Sequence, residues 1–313
     1  MKKLARALAA VGCLALLLAG CGSPQASGGE SASARKEIVN PNGDVISIPV
    51  KPKRIAALSG STEELLLLGI EPIASGNVDY GNRKQFSPTI ADRLDKDVVN
   101  LGWYGEPISL EAVMAVEPDL ILLGALFNED SYEQLSKIAP TVQVPHPYYE
   151  WRNRLNFLAD LFGEQEKKDQ WLGEYAKKAE EWKQKLAPVV KEETFAILET
   201  YPQSLVIYST TGAAELLYDD FGLERATGIP KPEHWGGMEL SLEALSSLNP
   251  DHLLLMESSE HKMSDSNVWK GLKAVQNGHV YKISQVDNYN YSFTAIGRMQ
   301  LLDKLGKQIL QRQ

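Results

Sequence analysis

One stretch of this chain occurs twice, and that repeat limits the possible folds more than any other feature. Trp103-Tyr104-Gly105, then Ser109-Leu110-Glu111-Ala112, then Glu117-Pro118-Asp119-Leu120-Ile121-Leu122-Leu123 returns as Trp235-Gly236-Gly237, Ser241-Leu242-Glu243-Ala244 and Asn249-Pro250-Asp251-His252-Leu253-Leu254-Leu255. Repeated order and spacing of this kind mean two related units. Each copy reads as a loop, a capped helix and a buried strand. Ser109 and Ser241 are N-cap residues, and Glu111 and Glu243 fall in the first turn, where negative charge suits the helix dipole. First-turn acids are common for that reason alone, so their symmetry is what calls for a further account. A chain of 313 residues accommodates two lobes of about 110 to 140 residues each.

Outside the repeat, strand-length apolar runs alternate with helical patterns. Arg54-Ile55-Ala56-Ala57-Leu58 reads as a buried strand, Thr62 to Leu68 as a helix capped by Ser61, and Asp119 to Leu123 as another strand followed by a helix over Tyr132 to Ile138. Such alternation predicts α/β lobes with parallel sheets covered on both faces. Between Glu164 and Leu186 the apolar residues Trp171, Leu172, Tyr175, Ala179, Trp182 and Leu186 recur at steps of one, three and four, with Pro188 closing the pattern. This predicts one amphipathic helix of about 23 residues, read as a spine between the lobes rather than a surface helix within one.

The N-terminus differs from everything after it. Lys2, Lys3 and Arg6 precede an apolar run from Leu8 to Ala19 that is too short for a permanent span, so residues 1–20 read as an export signal. Leu18-Ala19-Gly20-Cys21 resembles the lipobox of bacterial lipoproteins, which implies lipidation of Cys21 and a mature chain on the extracytoplasmic face of the cell membrane. Cys13 lies in the discarded segment, so disulfides and a cysteine nucleophile are excluded together. Residues 21–36 are small and polar and read as a flexible tether. The expected order is then an N-terminal lobe at 37–163, a connecting helix at 164–188 and a C-terminal lobe at 189–313. A net charge of −9 repels nucleic acid and anionic lipid, leaving membrane contact to the anchor.

Several segments together resemble the substrate-binding lipoproteins of bacterial iron-siderophore and cobalamin ABC importers, most of all the ferric hydroxamate receptors. They are Pro52-Lys53-Arg54-Ile55, Leu68-Gly69-Ile70-Glu71-Pro72-Ile73, the two Ser-Leu-Glu copies, Leu135-Ser136-Lys137-Ile138-Ala139-Pro140-Thr141, and Trp269-Lys270-Gly271-Leu272-Lys273-Ala274-Val275 ahead of Val280-Tyr281. The resemblance implies two Rossmann-like lobes with parallel sheets joined by one long helix. It also implies a ligand cleft between them, a Fe(III)-siderophore as ligand, no cofactor and a monomer. Cobalamin or haem remains the alternative ligand. By the same resemblance Glu111 and Glu243 are the residues that dock on the permease, one on each lobe.

The implied cleft residues are Arg83, Trp103, Phe127, Tyr208, Trp235, Tyr289, Tyr291 and Arg298. Open α/β sheets bind ligands at the loops after their strands, where Trp103, Trp235 and Phe127 stand. Trp103 and Phe127 read equally as core anchors, whereas Trp235 matches a ligand-contacting Trp of the hydroxamate receptors; Arg83, in the loop after the second strand, reads equally as a surface residue, and Arg298 as a salt-bridge partner on a helix. Glu199, in the second lobe's opening strand Phe195 to Thr200, replaces the cations expected of a receptor for trianionic catecholates, which favours a hydroxamate or mixed hydroxamate-citrate chelate. His146, His234, His252, His261 and His279 show no ligand spacing and read as structural, against a direct metal receptor. No GxSxG, HExxH or GxGxxG motif occurs, so an exported hydrolase is the distant alternative and the chain is expected not to be an enzyme.

Overall fold

The computed structural model describes residues 34–201, 204–229, 236–257 and 266–311; the expected signal segment, Cys21 and most of the tether lie outside them. An antiparallel pair, β1 (Arg35–Val39) and β2 (Val45–Pro49), leads into the first sheet. That sheet comprises β3 (Ile55–Leu58), β4 (Ala74–Ser75), β7 (Val99–Asn100), β8 (Leu120–Gly124) and β9 (Thr141–Val144), ordered β7-β4-β3-β8-β9 and parallel throughout. Between these strands run α1 (Thr62–Leu67), a small antiparallel pair β5 (Val78–Asp79) and β6 (Asn82–Phe86), α2 (Leu110–Ala115) and α3 (Tyr132–Leu135). The central strands β3 and β8 are apolar along their length because both faces are covered. Ile55, Ala57, Leu120 and Leu122 enter one core, while Ala56, Leu58, Ile121 and Leu123 enter another.

Two helices follow, α4 (Trp151–Phe162) and α5 (Gln165–Val190). Gly163, at φ 76°, takes the left-handed turn that ends the first of them. The spine runs 26 residues, about 39 Å, and continues through Pro188 instead of stopping before it. Proline lacks one hydrogen-bond donor but does not prevent a last turn from closing, and the helix breaks only at Lys191, φ 51°. Its buried stripe is Tyr175, Ala179, Trp182, Leu186 and Val190.

The second half holds β10 (Thr194–Thr200), β11 (Leu205–Tyr208), α6 (Ala213–Glu215), β12 (Glu224–Arg225), β13 (Gly237–Leu240), α7 (Leu242–Leu248), β14 (His252–Glu257), α8 (Asn267–Lys270), α9 (Lys273–Gln276), β15 (Val280–Ser284), α10 (Gln285–Tyr291) and α11 (Ala295–Gln311). Strands β12, β10, β14 and β15 are mutually parallel, as expected, but β11 and β13 add an antiparallel edge. The connection from Thr200 to Leu205 is too short for a crossover, so β11 must return as a hairpin.

Both halves of the repeat do the same structural work. The Ser109 hydroxyl accepts the Ala112 N–H at 3.3 Å and that of Ser241 accepts the Ala244 N–H at 3.2 Å. Glu117 and Asn249, at matching positions, both have positive φ, 45° and 38°. Asp119 then accepts the backbone N–H groups of Lys53 and Arg54, and Asp251 that of Thr194, so each Pro-Asp ties its strand to the start of the neighbouring one. The expected cap at Ser61 is not made. Its hydroxyl pairs with Ser59, and Asn77 Oδ1 instead accepts the Thr62 N–H at 3.2 Å.

Behind the two sheets a single core runs from Leu65 and Trp151 through Tyr175 and Trp182 to Phe195, Leu254 and Leu305. Gly306 lets α11 approach the spine, since a Cβ there would lie 2.4 Å from the Trp182 ring. Two buried acids of α1 reinforce this junction. Glu63 Oε2 accepts the Ile296 and Gly297 N–H groups at 2.6 and 3.0 Å, capping α11 from the other half of the molecule, while Oε1 accepts the Thr89 hydroxyl. Glu64 pairs with fully buried Arg154 at 2.6 Å, and Arg154 also donates to the Phe293 carbonyl.

Burial, with the neighbouring Glu64 charge adding to it, raises the Glu63 carboxyl from 4.5 to about 7. An acid raised in the folded state contributes stability that is complete below 4.5 and lost as pH climbs through about 7. Glutamine copies the protonated acid, accepting the two N–H groups and donating to Thr89. Relative to wild type, Glu63→Gln is therefore expected to gain about 3 kcal/mol of unfolding free energy between about pH 5 and pH 8. Urea titrations across that range check this, and parallel pH profiles would rule Glu63 out as the source.

Candidate functional site

Where the two halves face each other, loops after the strands enclose a cavity of ≈ 180 Å³ lined by Asn77, Val78, Tyr80, Ser87, Trp103, Tyr104, Phe127, Tyr148, Tyr289, Asn290 and Thr294. Asn77, Trp103, Phe127 and Tyr148 follow the carboxyl ends of β4, β7, β8 and β9, and Tyr289 follows that of β15. This is the crevice where open parallel sheets take ligands. Its walls form an unbroken aromatic belt. Tyr80 stacks on Tyr289 with centroids 4.2 Å apart and meets Trp103 edge-on at 5.8 Å, Phe127 stacks on Tyr148 at 5.9 Å, and Tyr148 meets Phe293 at 5.1 Å.

Arg83 completes the belt. Its guanidinium lies 4.6 Å from the Tyr80 ring centroid and 4.2 Å from that of Trp103, with Glu106 at 3.6 Å. Its Nη1 is buried and meets no hydrogen-bond partner among the described residues. An arginine packed against two mutually perpendicular rings thus keeps one donor without a partner among the described residues. The residue lies in strand β6, not in a loop as expected. Asp79 accepts the Gly81 N–H at 2.8 Å, and the resulting turn folds β6 back on β5.

That hairpin also clasps the opposite half. The Tyr80 N–H donates to Asn290 Oδ1 and Asn290 Nδ2 donates to Asp79 Oδ1, both at 2.9 Å. On this far side Glu199 is fully buried, accepting the Tyr208 hydroxyl and Gln285 Nε2, the latter at 2.7 Å. Burial first, and then the Glu199 charge, pushes Tyr201 up to about 12 and raises Tyr289 as well. These phenols therefore remain hydrogen-bond donors at neutral pH.

The structure brings Arg83, Trp103, Phe127 and Tyr289 together at the cavity. Tyr208 sits in the core beside it with its hydroxyl on Glu199, and Tyr291 packs against the main core. Arg298 is elsewhere: fully buried, it donates to Tyr175, Gly212, Ser292, Glu215 and Asp220 behind the cleft. Trp235 lies outside the described residues. Tyr80, Tyr104, Tyr148 and Asn290 line the cavity although the sequence did not assign them to the cleft. Glu111 and Glu243 are exposed at the first turns of α2 and α7 and are not part of this lining.

No helix among the described residues is long and apolar enough to cross a membrane. The iron(3+)-hydroxamate-binding protein YxeB of Bacillus subtilis is 28% identical, over 96% of this chain and 96% of the relative. The probable siderophore-binding lipoprotein YfiY of the same organism is 26% identical over 87% of each chain. Among solved structures, the FhuD fold-family protein BSU3320 of Bacillus subtilis, a periplasmic binding protein component of a ferrichrome ABC transporter, superposes with a TM-score of 0.74 at 27% identity. That likeness covers 87% of this chain and 99% of the other. Staphylococcus aureus SirA complexed with staphyloferrin B shares the fold, with a TM-score of 0.74 at 24% identity over 89% of this chain and 100% of that one. A family profile described as periplasmic binding protein matches residues 55–286, from the first sheet through the spine to α10, and the chain belongs to that family.

Proposed function

We propose that this chain is the lipid-anchored, extracytoplasmic receptor of an ABC importer, holding a ferric siderophore of hydroxamate type in the aromatic cleft. The observation that carries the reading is Arg83, whose unpartnered Nη1 sits in a ring-lined crevice between two lobes. One guanidinium and several protonated phenols suit the oxygen-rich surface of a neutral or weakly charged chelate. Among the described residues a trianion would meet a single cation and, behind Tyr289, the buried Glu199. Relatives described as hydroxamate-binding support the same choice. The cavity of ≈ 180 Å³ is below the roughly 300 to 1,000 Å³ of ligand sites, so the chelate enters with the Tyr80–Tyr289 stack parted and the lobes rocked apart about the spine. Anchorage at Cys21 and docking of the permease on Glu111 and Glu243 belong to this proposal.

Trp103 makes binding visible. Intrinsic fluorescence is expected to quench at sub-micromolar ferric tris-hydroxamate, and at least about 100-fold more weakly with a ferric tris-catecholate. Arg83→Ala removes a charged donor and is expected to weaken hydroxamate binding by about 10- to 100-fold. Tighter catecholate binding would overturn the ligand class, and silence toward every ferric chelate, cobalamin and haem would overturn the receptor reading.

A further inference from the structure

At the opposite end of the second sheet the fold assembles three metal-ligating side chains that the ligand cleft does not use. Strands β10, β14 and β15 are adjacent and parallel, with Phe195 paired to His252 and Leu253 to Val280. Their amino-terminal edge therefore places Glu193, His252 and His279 side by side, and their potential ligand atoms all lie within 4.8 Å of one another. We propose that Glu193, His252 and His279 bind a divalent transition-metal ion, of which zinc suits the donor set best, as a clip where the spine helix enters the second lobe.

The chemistry of the donors supports this. Two imidazole nitrogens and one carboxylate oxygen, with the remaining position open to water, form a set that zinc accepts and that calcium and magnesium, which prefer oxygen, do not. His252 is fully buried and already oriented. Its Nε2 faces Glu193 Oε2 at 2.7 Å, and its Nδ1 lies 2.9 Å from the Tyr281 hydroxyl, which can accept the Nδ1 proton when Nε2 takes an ion. His279 lies parallel to His252, ring centroids 4.4 Å apart, and its Nδ1 is buried without a hydrogen-bond partner among the described residues. Turning the His279 ring about its Cβ–Cγ bond onto a shared ion therefore breaks no hydrogen bond at Nδ1 and satisfies a stranded nitrogen. The Glu193 carboxylate, 42% exposed, gives the ion a path from solvent.

The site cannot hold the transported iron. From Glu193 to Glu199, at the cleft end of β10, is about 20 Å of strand. Its position indicates a structural role instead. The spine ends at Val190, Lys191 turns with φ 51°, and Glu193 is the last residue before β10. An ion shared with β14 and with the residue before β15 fixes that turn to the sheet.

Equilibrium dialysis of the untagged full chain in detergent against micromolar zinc chloride tests the proposal, with cobalt chloride giving a visible ligand-field spectrum. Wild type is expected to retain one equivalent. His279→Ala and Glu193→Gln, both at partly exposed side chains, are each expected to bind at least about 100-fold more weakly. Tyr281→Phe is expected to lose about tenfold by freeing the His252 ring. Ferric-chelate quenching in His279→Ala should equal that of wild type, so failure here and failure of the receptor reading are separable. No retained zinc in the wild type, or equal retention in wild type, His279→Ala and Glu193→Gln, overturns the proposal.

Discussion

Alanine at both Glu111 and Glu243 is expected to abolish uptake of the iron chelate by cells while the purified protein binds that chelate with unchanged affinity. The two carboxylates have no structural duty large enough to explain their symmetry. Both are exposed, and the helix caps are supplied by Ser109 and Ser241, which the substitution leaves in place. Loss of a surface acid from a first turn costs folding stability only about 0.3 to 1 kcal/mol. Loss of one partner from a charge pair buried in an interface costs about 2 to 5 kcal/mol, and a receptor gripped at two points loses both. Docking should therefore weaken by more than about 1,000-fold in the double variant, with each single variant intermediate. Glutamine at both sites isolates charge from shape and is expected to behave like alanine. Uptake that survives in the double variant, or chelate binding that falls with it, would remove docking as the reason for the repeat.

How much of this was legible in advance depended on whether the cause was local. Ser109 and Ser241 cap their helices because a serine hydroxyl reaches the N–H three residues on, which spacing alone reveals. The parallel strands were legible because burial on both faces leaves a continuous apolar run, and the spine because Tyr175, Ala179, Trp182 and Leu186 keep a helical period. Ser61 failed because Ser59 and Asn77, the second distant in sequence, competed for the same groups. The cavity residues Tyr80 and Asn290 were missed because their pairing spans the length of the chain, although Asp79, Gly81 and Asn82 were a turn signal pointing to a hairpin there. His252 and His279 show no ligand spacing along the chain, yet the parallel register of β14 and β15 makes them neighbours. Contacts set by strand order are invisible until that order is known.

Arginine 298 shows what such a contact is worth, and Arg298→Ala is expected to destabilise the protein by about 3 to 5 kcal/mol. The side chain projects from α11 into the junction of the spine with the second lobe and is fully buried. It donates to Tyr175 of α5 at 3.2 Å, to the carbonyls of Gly212 and Ser292 at 2.9 and 3.2 Å, and to Glu215 at 3.0 Å, besides its contact with Asp220. Truncation leaves Asp220, itself only 7% exposed, and two buried carbonyls facing a cavity. Arg152 still reaches Asp220 at 2.8 Å from the half-exposed side and the Tyr175 hydroxyl donates to it at 2.6 Å, so the carboxylate keeps two partners and the loss stays short of a wholly uncompensated buried charge. Lysine does not rescue it, since an ammonium group cannot serve five acceptors spread around a planar fork. Urea unfolding measures the loss, and chelate titration of the folded variant separates the two roles that the sequence leaves open. A structural arginine lowers the unfolding midpoint and leaves affinity alone. A ligand-binding one would do the reverse, and that outcome would show that the buried network is not where the residue acts.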